Sequence, residues 1–173
     1  MTGMPTMRKW LSLLILAGAP GFCGAVDFTG DWVMNASRSN YKPKPQPNEE
    51  SYTIEHKDSS VKIRFRTVWP NGPSSGAFTY IVDGNEISGK KVIDGEEVNV
   101  RESAQWDGTV MVVKRKIQRA SMPNIIVVES ERWTLSADNR VLTVTTETTT
   151  EGQDGRTMFK MVEHPTVVYD RVR

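Results

Sequence analysis

From Ser51 onward the chain alternates apolar and polar residues with a period of two, and short clusters of turn-forming residues interrupt the alternation at regular intervals. The intervening runs predict strands at about Ser51–Lys57, Val61–Trp69, Gly76–Val82, Asn85–Ile93, Glu96–Trp106, Thr109–Arg119, Ile125–Leu135, Val141–Thr150, Thr157–Glu163 and Thr166–Val172, after a first strand within Val26–Met34. No stretch shows the period of an amphipathic helix. A chain that reverses this often is expected to form an all-β antiparallel up-and-down meander, and a meander must close or be covered to hide its edge strands. The expectation is one barrel of about eight to ten strands.

Three Asp-Gly pairs, Asp83-Gly84, Asp94-Gly95 and Asp107-Gly108, each stand between two such runs and read as two-residue hairpin loops, which fix register. Around Asp107-Gly108 this places Trp106 opposite Thr109, Ala104 opposite Met111, Glu102 opposite Val113 and Val100 opposite Arg115. Through Asp94-Gly95 it places Ile87 beside Glu102, Gly89 beside Val100 and Lys91 beside Val98. Through Asp83-Gly84 it places Tyr80 beside Ile87 and Phe78 beside Gly89. The three turns agree on one inner face: Phe78, Tyr80, Ile87, Val100, Glu102, Val113 and Arg115, with Phe65 on the preceding strand. Glu102 and Arg115 are then diagonal neighbours on an apolar face. They read either as an internal salt bridge or as a ligand site in which Glu102 positions Arg115 for a carboxylate or phosphate.

Before the meander, Asn35 to Glu50 contains Lys42-Pro43-Lys44-Pro45-Gln46-Pro47, whose prolines remove donors and favour extended, unpaired backbone. A long loop across one end of the sheet is expected there. Pro165 cannot donate to a ladder and marks a bulge or corner between the last two strands.

At the N-terminus, Arg8 and Lys9 precede an apolar run from Trp10 to about Gly21 and small residues through Ala25, the order of a secretory signal peptide. The run is too short to read as a membrane-spanning helix. Cleavage after Ala25 is expected, leaving residues 26–173 as a single domain. Acylation at Cys23, the only cysteine, is disfavoured by Phe22 before it, so a secreted or periplasmic protein without a disulfide is expected. Loss of Arg8 and Lys9 leaves 20 basic residues against 21 acidic, so charge gives no case for nucleic acid or an anionic membrane as partner.

Phe28-Thr29-Gly30-Asp31-Trp32 is similar to the Gly-x-Trp opening of the lipocalin and fatty-acid-binding (calycin) superfamily. Residues Trp106–Arg115 and the ending Val168-Tyr169-Asp170-Arg171-Val172 also resemble strands of its intracellular members. In plan the chain looks most like small secreted bacterial lipocalin-like proteins. The resemblance implies a barrel in which Gly30 and Trp32 are structural and Arg171 or Arg173 lies over the Trp32 ring at the closed end. It departs from the intracellular members in lacking their helical lid and in reading Tyr-x-Arg at Tyr169 and Arg171, where they carry Arg-x-Tyr for a ligand carboxylate.

Among chemical motifs, His56 and His164 are far apart and suggest no zinc site, and nucleophile elbows and phosphate loops are absent from the sequence. No metal or cofactor is expected. The leading expectation is an exported barrel holding a small apolar or amphipathic molecule, lined by Phe65, Phe78, Tyr80, Ile87, Val100, Glu102, Val113 and Arg115. The rivals are a barrel filled by its own side chains that acts as an envelope or interaction module, and a small isomerase or cyclase using Glu102 as base.

Overall fold

The computed structural model describes residues 26–42, 45–93, 95–152, 156–161 and 165–172, with backbone alone for 157–161. The signal-peptide reading of residues 1–25, with Cys23, and the positions of His164 and Arg173 lie outside the described residues.

Eleven strands form one antiparallel sheet: β1 Gly30–Met34, β2 Glu49–Lys57, β3 Ser60–Trp69, β4 Gly72–Ile81, β5 Ile87–Ile93, β6 Glu96–Asp107, β7 Val110–Arg119, β8 Ile125–Leu135, β9 Val141–Gly152, β10 Thr157–Met161 and β11 Thr166–Arg171. Each pairs with its sequence neighbour from β1 to β4 and from β5 to β9, and β11 closes the circuit between β9 and β1. Strands β10 and β11 lie end to end along the same edge of β9, with Pro165 at the corner, where its carbonyl accepts from Thr146 N at 2.9 Å. The eleven strands therefore occupy ten positions in a curled lipocalin-like barrel. Residues 35–42 and 45–48 lie across one end, bridging back to the sheet through Asn40 and Thr166.

The hairpin at Asp94-Gly95 has the expected register, with Ile87 opposite Glu102 and Gly89 opposite Val100. The hairpin at Asp107-Gly108 does not. Its loop is Gly108-Thr109, with Asp107 paired to Val110. Gly108 takes φ 62°, the left-handed conformation that the first central position of a primed turn requires and glycine adopts without penalty. Each partner is shifted by two residues from expectation, which keeps the same face inward but sets Glu102 directly opposite Arg115 and Ala104 opposite Val113.

The third Asp-Gly pair forms no hairpin. Val82 N donates to Ser59 O at 2.7 Å and Gly84 N to Ala104 O at 2.9 Å, while the Asp83 side chain holds Asn85 N. These bonds carry the chain across to β6, where Val82 and Ala104 form an isolated parallel bridge. Strands β4 and β5 are consequently unpaired with each other, and the expected neighbours Tyr80 with Ile87 and Phe78 with Gly89 are not formed.

One core fills the closed end, centred on Phe28, Trp32, Ile54, Ile63, Met111, Trp133, Leu142 and Tyr169, and a smaller cluster of Val98, Val100 and Ile117 lies toward the other end. Among the described residues, no helix is long and apolar enough to cross a membrane.

Candidate functional site

The interior is apolar at its closed end and charged at mid-height. Arg115 on β7 is the hub. Its Nε donates to Glu102 Oε2 at 2.8 Å, and its terminal nitrogens donate to the two Glu131 oxygens at 2.7 and 3.2 Å. It also donates to the Tyr80 hydroxyl and stands 3.6 Å from Glu129 Oε2. A guanidinium carries five N–H donors in a fixed fork, so each of Arg115's donor directions already faces an oxygen of this chain. A ligand carboxylate or phosphate meeting Arg115 would first have to displace a glutamate.

Glu102 is 7% exposed and also receives Lys91 Nζ at 3.2 Å from the rim. Glu131 accepts from Trp133 Nε1 at 3.0 Å. Burial pushes the Tyr80 phenol well above its ordinary pKa; the Glu131 charge adds to the rise and Arg115 opposes it.

A second polar group lies under the loop at residues 35–48. The hydroxyls of Tyr41 and Tyr169 each donate to Glu50 at 2.7 Å, one to each carboxylate oxygen, and the Tyr52 ring stacks on Tyr169 with centroids 4.6 Å apart. Burial raises all three phenols above the ordinary tyrosine range, and the nearby Glu50 charge raises them further.

Around these groups the side chains leave space. A cavity of about 640 Å³ lies across the gap between β4 and β5, lined among others by Phe65, Phe78, Val100, Lys91, Arg115 and Glu129. Lobes of about 340 and 190 Å³ continue under the crossing loop and along the tyrosine cluster. Phe78 and Arg115 border all three. A groove of about 130 Å³ at the β4–β6 junction is lined by Tyr80, Ile87 and Glu102. This is the size range and mixture of apolar wall with a few polar groups found in small-molecule sites.

The closed end is built differently. The Arg171 guanidinium lies 4.6 Å from the centroid of the buried Trp32 ring, whose Nε1 donates to Phe28 O at 2.9 Å. Arg171 Nε is buried with no hydrogen-bond partner, so the ring face is what it is given in place of water. Gly30 has φ 148°, and a Cβ there would stand 3.5 Å from Arg171 Nε. The three residues expected to be structural are in contact.

The structure brings Phe65, Phe78, Tyr80, Val100, Glu102 and Arg115 to the interior space. Val113 is packed into the closed-end core instead. Ile87 shares the inner face but is 59% exposed, because β5 borders the gap. Sequence reasoning missed Glu131, Glu129 and Glu50. Parity could have found them: Val127, Glu129, Glu131 and Trp133 alternate on one face of β8, and Glu50, Tyr52 and Ile54 on one face of β2. Tyr41 sits in the proline-rich loop, where no period exists to place it.

No family model and no curated protein matches the chain. Among solved structures it is similar to secretory abundant heat soluble protein 4 from Ramazzottius varieornatus, at 12% identity and a TM-score of 0.48 over 87% of this chain and 97% of that one. It is also similar to zebrafish ileal bile acid-binding protein complexed with cholic acid, at 15% identity and a TM-score of 0.43 over 84% and 98%. The strand order described above by itself gives the chain an antiparallel up-and-down barrel.

Proposed function

We propose that the protein is an exported carrier or binding protein that holds one small amphipathic molecule inside the barrel. The observation that carries this reading is the open cleft of about 640 Å³ at the β4–β5 gap, which shares Phe78 and Arg115 as walls with the lobes beneath the loop. A barrel filled by its own side chains would leave no such volume. Apolar walls from Phe65, Phe78, Val100 and Ile117 suit a hydrocarbon portion, and the charged mid-level suits a polar end. The signal-like order of residues 8–25 supports export.

Gly89 offers a clean test. It lies on the inner face opposite Val100, and a Cβ there meets nothing within 4 Å. Gly89→Trp should place a ring in the gap without unfolding the barrel. Titration with decanol, followed by tryptophan fluorescence through Trp133 and confirmed by calorimetry, should saturate at one molecule per chain. The variant should bind at least about tenfold more weakly, corresponding to about 1.4 kcal/mol, with unchanged thermal stability. Equal binding by both proteins would remove the cavity from the account.

A further inference from the structure

We propose that the polar end of the ligand is an ammonium group, received by Glu50 in the lobe lined by Tyr41, Tyr52 and Tyr169. The inference rests on the binding reading above and adds the chemical class of the ligand. The lobe of about 190 Å³ joins Glu50 to Glu131 and is walled by aromatic rings, including Tyr52, Trp133 and Tyr169.

The donors of this lobe are turned toward its own carboxylates. Tyr41 and Tyr169 give their hydroxyl protons to Glu50, Trp133 gives its indole N–H to Glu131, and Arg115 gives its fork to Glu131 and Glu102. An entering anion would face carboxylates whose donors are already spent. An entering ammonium faces the reverse. A carboxylate has about four lone-pair directions, and the two phenols take one on each Glu50 oxygen, leaving acceptor capacity toward the lobe. Among the described residues no ion pair reaches Glu50, and its hydrogen-bond donors are the neutral phenols of Tyr41 and Tyr169. The rings of Trp133, Tyr52 and Tyr169 stack in series along the lobe and form its apolar wall, so the carboxylate meets an entering cation away from bulk water.

Lys91 does not reverse this balance. It stands at the rim, half exposed and bound to Glu102 at 3.2 Å. The hydrocarbon of such a ligand would run from the tyrosine cluster past Phe78 toward the β4–β5 gap, since Phe78 borders both spaces.

The test uses the whole protein and three ligands of equal chain length, decylammonium, decanol and decanoate, each competing at pH 7 with bound N-phenylnaphthylamine, an uncharged fluorophore. Decylammonium should compete at least about tenfold better than decanoate, with decanol between them. Glu50→Gln should abolish the preference for decylammonium over decanol, with an unchanged circular dichroism spectrum and cooperative thermal unfolding reporting an intact barrel. Decanoate competing as well as or better than decylammonium overturns the inference and leaves the binding reading standing. So does a head-group preference that survives Glu50→Gln. Failure of all three ligands and of the fluorophore to bind overturns both.

Discussion

Replacing Arg115 with leucine tests the interior network most severely, because one side chain compensates several buried carboxylates. In Arg115→Leu, Glu102, 7% exposed, loses its 2.8 Å partner, and Glu131 loses both of its guanidinium bonds. Breaking a buried ion pair from one side costs about 3–5 kcal/mol, because the remaining charge stays desolvated. Lys91 recovers part of this for Glu102, but it reaches no described oxygen of Glu131. In Glu102→Leu, by contrast, Arg115 keeps Glu131 on both oxygens and Glu129 nearby, so the loss is closer to that of one charged hydrogen bond, about 1.5–3 kcal/mol. The double variant strands only Glu131. The expected order of destabilisation is therefore Arg115→Leu, then the double variant, then Glu102→Leu, with a coupling of about 1–3 kcal/mol between the two sites. Urea unfolding followed by tryptophan fluorescence, with the slope checked for constancy, measures all three. A cost below about 1 kcal/mol for Arg115→Leu, or Glu102→Leu proving the more damaging single change, would refute the arrangement.

Three further outcomes are expected. All four tyrosines of the chain, Tyr41, Tyr52, Tyr80 and Tyr169, have phenols raised above their ordinary pKa by burial. The native state thus keeps protons that the unfolded chain releases above about pH 10. Stability should be complete below that pH and fall as pH rises, by up to about 5 kcal/mol per unit for four groups. Phenolate absorbance should appear together with unfolding, and a gradual native titration centred near pH 10 would contradict it. Gly30→Ala should cost about 1–2 kcal/mol, because φ 148° is a conformation that L side chains rarely adopt, as chemical denaturation can check. Arg171→Met should cost about 1–2 kcal/mol by removing the cation over Trp32, with a shift in tryptophan emission; a neutral effect would mean that the ring contact carries no stability.

The meander was legible because its signal is local. The run from Ile125 to Leu135 and the break at Ser136 need no knowledge of the rest of the chain, and the strand there has those bounds. Register between β5 and β6 was legible for the same reason, and Ile93 pairs with Glu96 across the turn as expected. At Asp107-Gly108 the choice between aspartate or glycine as the first loop residue shifts every pair by two without changing any face, so the inner residues survived while Glu102 and Arg115 moved from diagonal to directly opposite. The failure at Asp83-Gly84 has a non-local cause. Its hydrogen bonds go to Ser59 and Ala104, which lie about 20 residues away in opposite directions, and a propensity for turning says nothing about them. The cleft of about 640 Å³ depends on that failure, because a β4–β5 hairpin would have closed the gap at which it lies. Glu131 and Glu50 were hidden less deeply: the alternation that places Trp133 and Ile54 inward places them inward too, but a charged residue in such a face is ordinarily discounted.

The central claim is that the barrel holds a molecule in its interior. Native mass spectrometry tests it most directly, on protein taken gently from the cells that make it and on a second aliquot supplemented with decylammonium and decanol. One adduct per chain, lost on denaturation and weakened in Gly89→Trp, is the expected result. The bare chain mass in both aliquots would contradict the account.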